Sequence, residues 1–168
     1  RPAAPKLSRI SIQETVASCV ELLAKNADNF GVRINIEIEA EDDTCVVDAD
    51  QIKQVFINIS KNAIEACEAG GMLNIRLKDS EDSDFLKIEF SDTGRGIDDE
   101  VSDKLYDPFF TTNPDGSGLG LSISRKIIES HKGRISHRSA PGEGTSFVIE
   151  LPKRSFFERK VGEEEKVT

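Results

Sequence analysis

An α/β domain is the fold class that this sequence predicts, and three observations predict it. Apolar residues recur at helical spacing in three separate stretches. Strict apolar–polar alternation marks others, as in Ile34-Asn35-Ile36-Glu37-Ile38 and Leu73-Asn74-Ile75-Arg76-Leu77. The two patterns interleave along 168 residues, a length that fits one domain with a substantial core.

In chain order, residues 1–10 open proline-rich and read as a linker from an upstream region. Ser11-Ile12-Gln13-Glu14 matches a capping box, with Ser11 as N-cap and Glu14 reaching back. A helix follows to about residue 24, with Val16, Val20 and Leu23 on its core face. Residues 34–38 form a half-buried strand and 45–47 a short one beyond Asp42-Asp43. Asp50 caps a second helix that runs to about residue 69 and stops at Gly70-Gly71. Residues 73–77 and 86–90 pair as a hairpin across the polar link 80–84. A short helix follows Asp98, and residues 107–117, rich in Asp, Pro, Gly and Thr, form a mobile loop. A third long helix opens near Leu119 and ends by His131-Lys132-Gly133. Strands at 134–139 and 145–151 close the domain of residues 11–152. Residues 153–168 are charged and aperiodic apart from Phe156-Phe157, and read as a disordered tail.

The formal charge of −9 argues against a broad nucleic-acid surface. No apolar run reaches membrane-spanning length and the start lacks a secretory pattern, so the expectation is a cytoplasmic domain whose parent is free to carry a membrane anchor. Cys19, Cys45 and Cys67 are odd in number and form no C-x-x-C, which fits buried free thiols. His131 and His137 lack metal-ligand spacing.

Four constellations carry possible chemistry. Asn58 and Asn62 sit one helical turn apart, where the amides satisfy nearby backbone groups or offer oxygens to magnesium. Asp92 ends an apolar strand before Thr93-Gly94-Arg95-Gly96. A carboxylate there accepts from adenine's exocyclic amino group, or simply shapes a turn. Gly116-Ser117-Gly118-Leu119-Gly120 precedes a helix, as a phosphate site or as a hinge, and matches neither the P-loop nor the dinucleotide fingerprint. Phe109 and Phe110 dock the loop's hinge or belong to the core.

These motifs, in this order, resemble the catalytic ATP-binding domain of bacterial two-component sensor histidine kinases. Asn62-Ala63-Ile64-Glu65-Ala66 and Asp107-Pro108-Phe109-Phe110-Thr111-Thr112 look closest to the nitrogen-regulatory branch. The resemblance implies the Bergerat fold. This is a two-layer α/β sandwich with a mixed, mostly antiparallel sheet of about five strands, three main helices on one face and a mobile ATP lid. It implies ATP and Mg2+ as cofactors, with Asn62 on the metal and Asn58 on metal or phosphates. Asp92 and Thr145 would meet adenine, Ala66 and Ile97 would line its pocket, and Gly94 and Gly96 would shape the floor. Thr111, Thr112, Gly116, Gly118, Leu119 and Gly120 would belong to the lid, hinged at Phe109 and Phe110.

The implied reaction passes the γ-phosphoryl group to a histidine of the kinase's own phosphoacceptor and dimerisation domain, with a response regulator downstream. Neither histidine here has a phosphoacceptor context. His131 reads as structural and His137 as a strand-surface residue, so the acceptor would lie elsewhere and this part would be monomeric. Asn113 stands where related kinases often carry a lysine, which leaves Lys61, Arg95 and Arg125 as candidates for the γ-phosphate. Related ATPases place a glutamate at the position of Asn58, and asparagine cannot act as a base, which favours transfer over hydrolysis. The alternatives are a nucleotide-binding pseudokinase, a gyrase- or chaperone-type ATPase and a serine kinase of the anti-sigma type.

Overall fold

The computed structural model describes residues 3–112 and 116–167. Its elements run β1 (Ser8–Ser11), α1 (Ile12–Phe30), β2 (Arg33–Ile38), β3 (Thr44–Val47), α2 (Ala49–Ala66), β4 (Met72–Asp79), β5 (Phe85–Asp92), α3 (Asp99–Asp103), α4 (Gly120–Ser130), β6 (Arg134–Ser139), β7 (Thr145–Pro152) and α5 (Arg154–Val167). A five-stranded sheet has the order β2-β4-β5-β7-β6, and a small second sheet pairs β1 with β3. Among the described residues β2–β4 is the parallel pairing and the others are antiparallel. The mixed, mostly antiparallel sandwich anticipated from the sequence is the fold observed.

Alternation fixes which face is covered. Leu73, Ile75 and Leu77 of β4, Leu86, Ile88 and Phe90 of β5, and Phe147, Ile149 and Leu151 of β7 are all buried. Register sets Ile75 opposite Phe90, and Ile88 opposite Ile149. The helices α1, α2 and α4 cover this face. α2 is central and contributes Ile52, Val55, Phe56, Ile59, Ala63 and Ile64 to the core. The Phe56 ring lies 5.4 Å from that of Phe90. Truncating so buried an aromatic typically costs about 3–5 kcal/mol. The opposite face is polar, with Arg76 paired to Glu37 at 2.8 Å and Lys78 to Glu89 at 3.5 Å.

Several boundaries differ from expectation. α1 runs on to Phe30 because Leu23 and Ala27 continue its buried stripe, and Gly31 then closes it at φ +66°. Ser11 does cap α1, accepting from the Glu14 N–H at 3.2 Å, while the Asp43 carboxylate takes the Gln13 N–H at 2.8 Å. Asp48, not Asp50, caps α2; its carboxylate accepts from the Asp50 and Gln51 N–H groups. Part of the expected linker is strand β1. The expected disordered tail is helix α5: Phe156 packs edge-on against Phe85 at 5.3 Å, and Arg159 pairs with the buried Asp84 at 3.1 Å.

Candidate nucleotide site

Strand periodicity places the first functional side chain. Asp92 shares the parity of Leu86, Ile88 and Phe90, so it faces the helix layer at the point where β5 leaves the sheet. Thr145 shares the parity of Phe147, Ile149 and Leu151 on β7 and faces the same way. The Asp92 Oδ1 accepts from the Gly94 N–H at 2.8 Å and the Thr145 N–H at 3.1 Å. Both bonds fall on one oxygen, and the described bonds leave Oδ2 to accept from a bound group. Burial lifts the Asp92 carboxyl above its ordinary range, with the two N–H bonds opposing. This carboxylate is part-desolvated yet held in one orientation.

The same turn joins α2. The Arg95 N–H donates to the Ala66 carbonyl at 3.1 Å, and the Gly142 N–H to the Arg95 carbonyl at 2.7 Å. Ile97 donates its N–H to Ser139 Oγ at 2.8 Å, and that hydroxyl also contacts Thr145 Oγ1 at 2.8 Å. Ala66, Asp92, Gly94, Ile97 and Thr145 therefore converge, and Gly96, at φ +69°, lies in the linking turn. Ser139 is a site residue that the sequence did not reveal. It lies on β6, and only the β6–β7 pairing brings it to Thr145.

The second centre lies further up α2. Asn58 is half-buried and Asn62 exposed, one turn apart on the flank of the helix's apolar stripe. The Asn58 Nδ2 donates to Ser124 Oγ on α4 at 3.2 Å. Its Oδ1 lies so close to Gly120, the first residue of α4, that a Cβ there would displace the Asn58 amide. Leu119 precedes Gly120 and offers no side-chain cap, so among the described residues no side chain caps the start of α4, an end that suits an anionic ligand. Ser124 is the other residue sequence reasoning missed.

The loop residues are placed differently. The Phe109 N–H donates to the Gly118 carbonyl at 2.9 Å, closing the loop's neck. Gly118, at φ +73°, lies hard against the Phe109 backbone, where a Cβ would collide. The Phe109 ring is 74% exposed, so backbone rather than a docked aromatic ring holds this hinge. Phe110 is half-buried and donates its N–H to the Asp107 carbonyl. Thr111, Thr112 and Gly116 lie exposed on the loop. Asn113 falls outside the described residues. Arg125 is engaged with Glu129 at 3.0 Å and with the Tyr106 ring, which leaves Lys61 and Arg95, both exposed, as the candidates for a terminal phosphate.

Neither histidine is a free surface imidazole. His131 is buried; its Nε2 accepts from the Asp48 N–H at 3.0 Å, so Nδ1 carries the proton it donates to the Ile127 carbonyl at 2.7 Å. His137 is half-buried, with a hydroxyl at each ring nitrogen, and burial lowers its pKa from the ordinary value. The expectation of a strand-surface residue does not hold. Among the described residues, no three His, Cys, Asp or Glu side chains are grouped to hold a metal. The exposed Asn62 amide fits the sparse protein ligation of a magnesium ion carried mainly by phosphates.

Residues 47–155 match the family described as histidine kinase-, DNA gyrase B- and HSP90-like ATPase. Sporulation kinase E of Bacillus subtilis is 35% identical over 164 residues, covering 98% of this chain and 22% of its own length. The catalytic domain of histidine kinase ThkA, nucleotide-free, superimposes with a TM-score of 0.79 at 32% identity, over 88% of this chain and 96% of that one. Histidine kinase ThkA in complex with the response regulator protein TrrA gives 0.75 at 31% identity, over 89% of this chain and 42% of that one. The chain thus spans about a quarter to a third of the length of several curated relatives. It belongs to the histidine kinase-, DNA gyrase B- and HSP90-like ATPase family, as an ATP-binding catalytic domain of the sensor histidine kinase type.

Proposed function

We propose that this domain binds Mg-ATP and transfers its γ-phosphoryl group to a histidine on a separate phosphoacceptor domain, in a two-component signalling pathway. The observation that carries the proposal is that α2 touches both ends of the site. Ala66 receives the Arg95 N–H of the Asp92 turn, and Asn58 abuts Gly120 at the open end of α4. Adenine would donate its amino group to Asp92, and the phosphates would meet the α4 N–H groups. Asn62, and Asn58 beside it, would hold magnesium, which when bound neutralises phosphate charge.

In the transfer, the bond between the γ-phosphorus and the β–γ bridging oxygen breaks, and ADP leaves with the electron pair. A phosphorus–nitrogen bond forms to the acceptor imidazole, whose proton goes to a base beside it on the other domain. The domain's own residues contribute positioning and charge neutralisation. Because His131 and His137 have both ring nitrogens engaged, an acceptor from another domain accords with the geometry. The phosphorylated histidine would in turn supply a response regulator, as the ThkA–TrrA complex suggests by similarity.

The test is phosphoryl transfer from labelled ATP to a supplied helical-hairpin acceptor. Asn62→Ala is expected to reduce transfer by about a hundredfold or more, as loss of a transition-state charge-stabilising contact does. Near-normal transfer by that variant contradicts the assigned role.

A further inference from the structure

Outside the nucleotide site, one cluster ties the loop to the sheet. Tyr106 directly precedes the Asp107-Pro108-Phe109 hinge. Its hydroxyl lies 3.0 Å from His137 Nδ1, and Ser102 Oγ lies 2.5 Å from His137 Nε2. The Tyr106 and His137 rings are 5.3 Å apart, and His137 packs in turn on Phe147 at 5.7 Å. Over the Tyr106 ring stands the Arg125 guanidinium of α4, 5.2 Å from the ring centroid. One tyrosine therefore touches the segment that enters the loop, the helix that leaves it, and the central sheet.

The chemistry of the cluster is directional. Burial pushes the Tyr106 hydroxyl up to about 12, so it keeps its proton. A neutral imidazole has one N–H and one lone pair, so one of the two hydroxyls donates to His137 and the other accepts from it. Ser102 and Tyr106 are thereby fixed together on β6. Gly120, whose N–H would meet phosphate, opens the helix that also carries Arg125. The Tyr106 ring, held by His137, stands between the loop entry and α4, beside the Phe109–Gly118 backbone bond that closes the loop's neck.

We propose that His137 is a positioning residue for phosphate binding, acting through Tyr106 and Arg125 on the N-terminal end of α4. The inference rests on the ATP-binding reading above and adds to it a residue that touches no nucleotide. Loss of the anchor lets the α4 end drift from the phosphates while leaving the Asp92–Thr145 end in place. ATP binding then weakens and adenosine binding does not, a split that general destabilisation does not produce.

The experiment is calorimetric titration of the chain with Mg-ATP and with adenosine, alongside thermal unfolding. His137→Ala is expected to weaken ATP binding about tenfold, the cost of losing roughly one to two net hydrogen bonds, with adenosine affinity within about twofold. Tyr106→Phe, which keeps the ring stack, should weaken ATP about three- to fivefold and have no further effect in the His137→Ala background. ATP affinity within about twofold of wild type in Tyr106→Phe, equal losses for ATP and adenosine, or additive effects in the double variant overturn the proposal. Should His137→Ala fail to fold, the Tyr106→Phe comparison decides alone. Wild-type chain that binds no ATP defeats the functional reading itself, whereas wild type that binds ATP beside unaffected variants defeats only this one.

Discussion

Asp92 shows how one carboxyl group can work against the fold that holds it. Its pKa is raised by burial, so the charged form is disfavoured in the folded state relative to the unfolded one. Its contribution to stability is therefore present below the unfolded value and is lost as pH rises through the higher folded value. At neutral pH the ionised side chain costs stability. Asp92→Asn should leave the ligand-free domain at least as stable, because an amide oxygen can still accept from Gly94 and Thr145. The same variant should weaken ATP binding by about tenfold or more, the scale of a charge-assisted hydrogen bond. Calorimetry for binding and thermal unfolding for stability check both halves. A variant that unfolds more readily yet binds ATP normally would reverse the assignment.

At the scale of elements, the N-terminal end of α2 gathers three parts of the chain. The Asp48 carboxylate accepts from the Lys6, Asp50 and Gln51 N–H groups, and the Asp48 N–H donates to His131 at the end of α4. Those bonds, the Lys6 one foremost, hold the Asp48 carboxyl below its usual range. Its sign is opposite to that of Asp92: the stabilisation is present above the unfolded pKa and is lost as pH falls through the folded one. Asp48→Ala should destabilise the domain by about 1 kcal/mol, the ordinary cost of a lost N-cap, with exposure of the carboxylate keeping the figure modest. The loss should shrink in acid. Urea unfolding at neutral pH and near pH 3 reads it, and a loss that grows in acid contradicts the account.

The molecule as a whole uses α2 as its spine. The rise from Asn58 to Ala66 is about 12 Å along the helix axis, so one rigid element spaces the Asn58–Gly120 contact from the Asp92 turn. Its buried face, with Phe56 against Phe90, is also the centre of the core. Much of this was legible in the sequence. Alternation marked β4 and β5 and set Asp92 at the end of an apolar strand, whereas Thr145 entered only through the family resemblance. The glycines at 116, 118 and 120 read as a phosphate site or a hinge, and the contact of Gly120 with the Asn58 amide needed the packing of α4 on α2.

What was not legible depends on contacts across distant elements. Ser139, Ser124 and His137 are ordinary polar residues until strand order and helix packing supply their partners. Strand β1 is only Ser8–Ser11, too short to show a period, and it forms because β3 offers an edge. Helix α5 lacks a strong apolar stripe and is held by Phe156 and Arg159 against Phe85 and Asp84. Asp48 and Asp50 are chemically equivalent caps two residues apart, and only the backbone of the first turn distinguishes them.

The central claim is that the Asp92 turn and the Asn-bearing helix form one purine triphosphate site. Titrating the chain with ATP and with GTP, each with and without magnesium, tests it most directly. ATP should bind, more tightly with magnesium, and GTP at least about tenfold more weakly, because its base presents an acceptor where Asp92 needs a donor. Equal affinity for the two nucleotides, or ATP binding indifferent to magnesium, would contradict it.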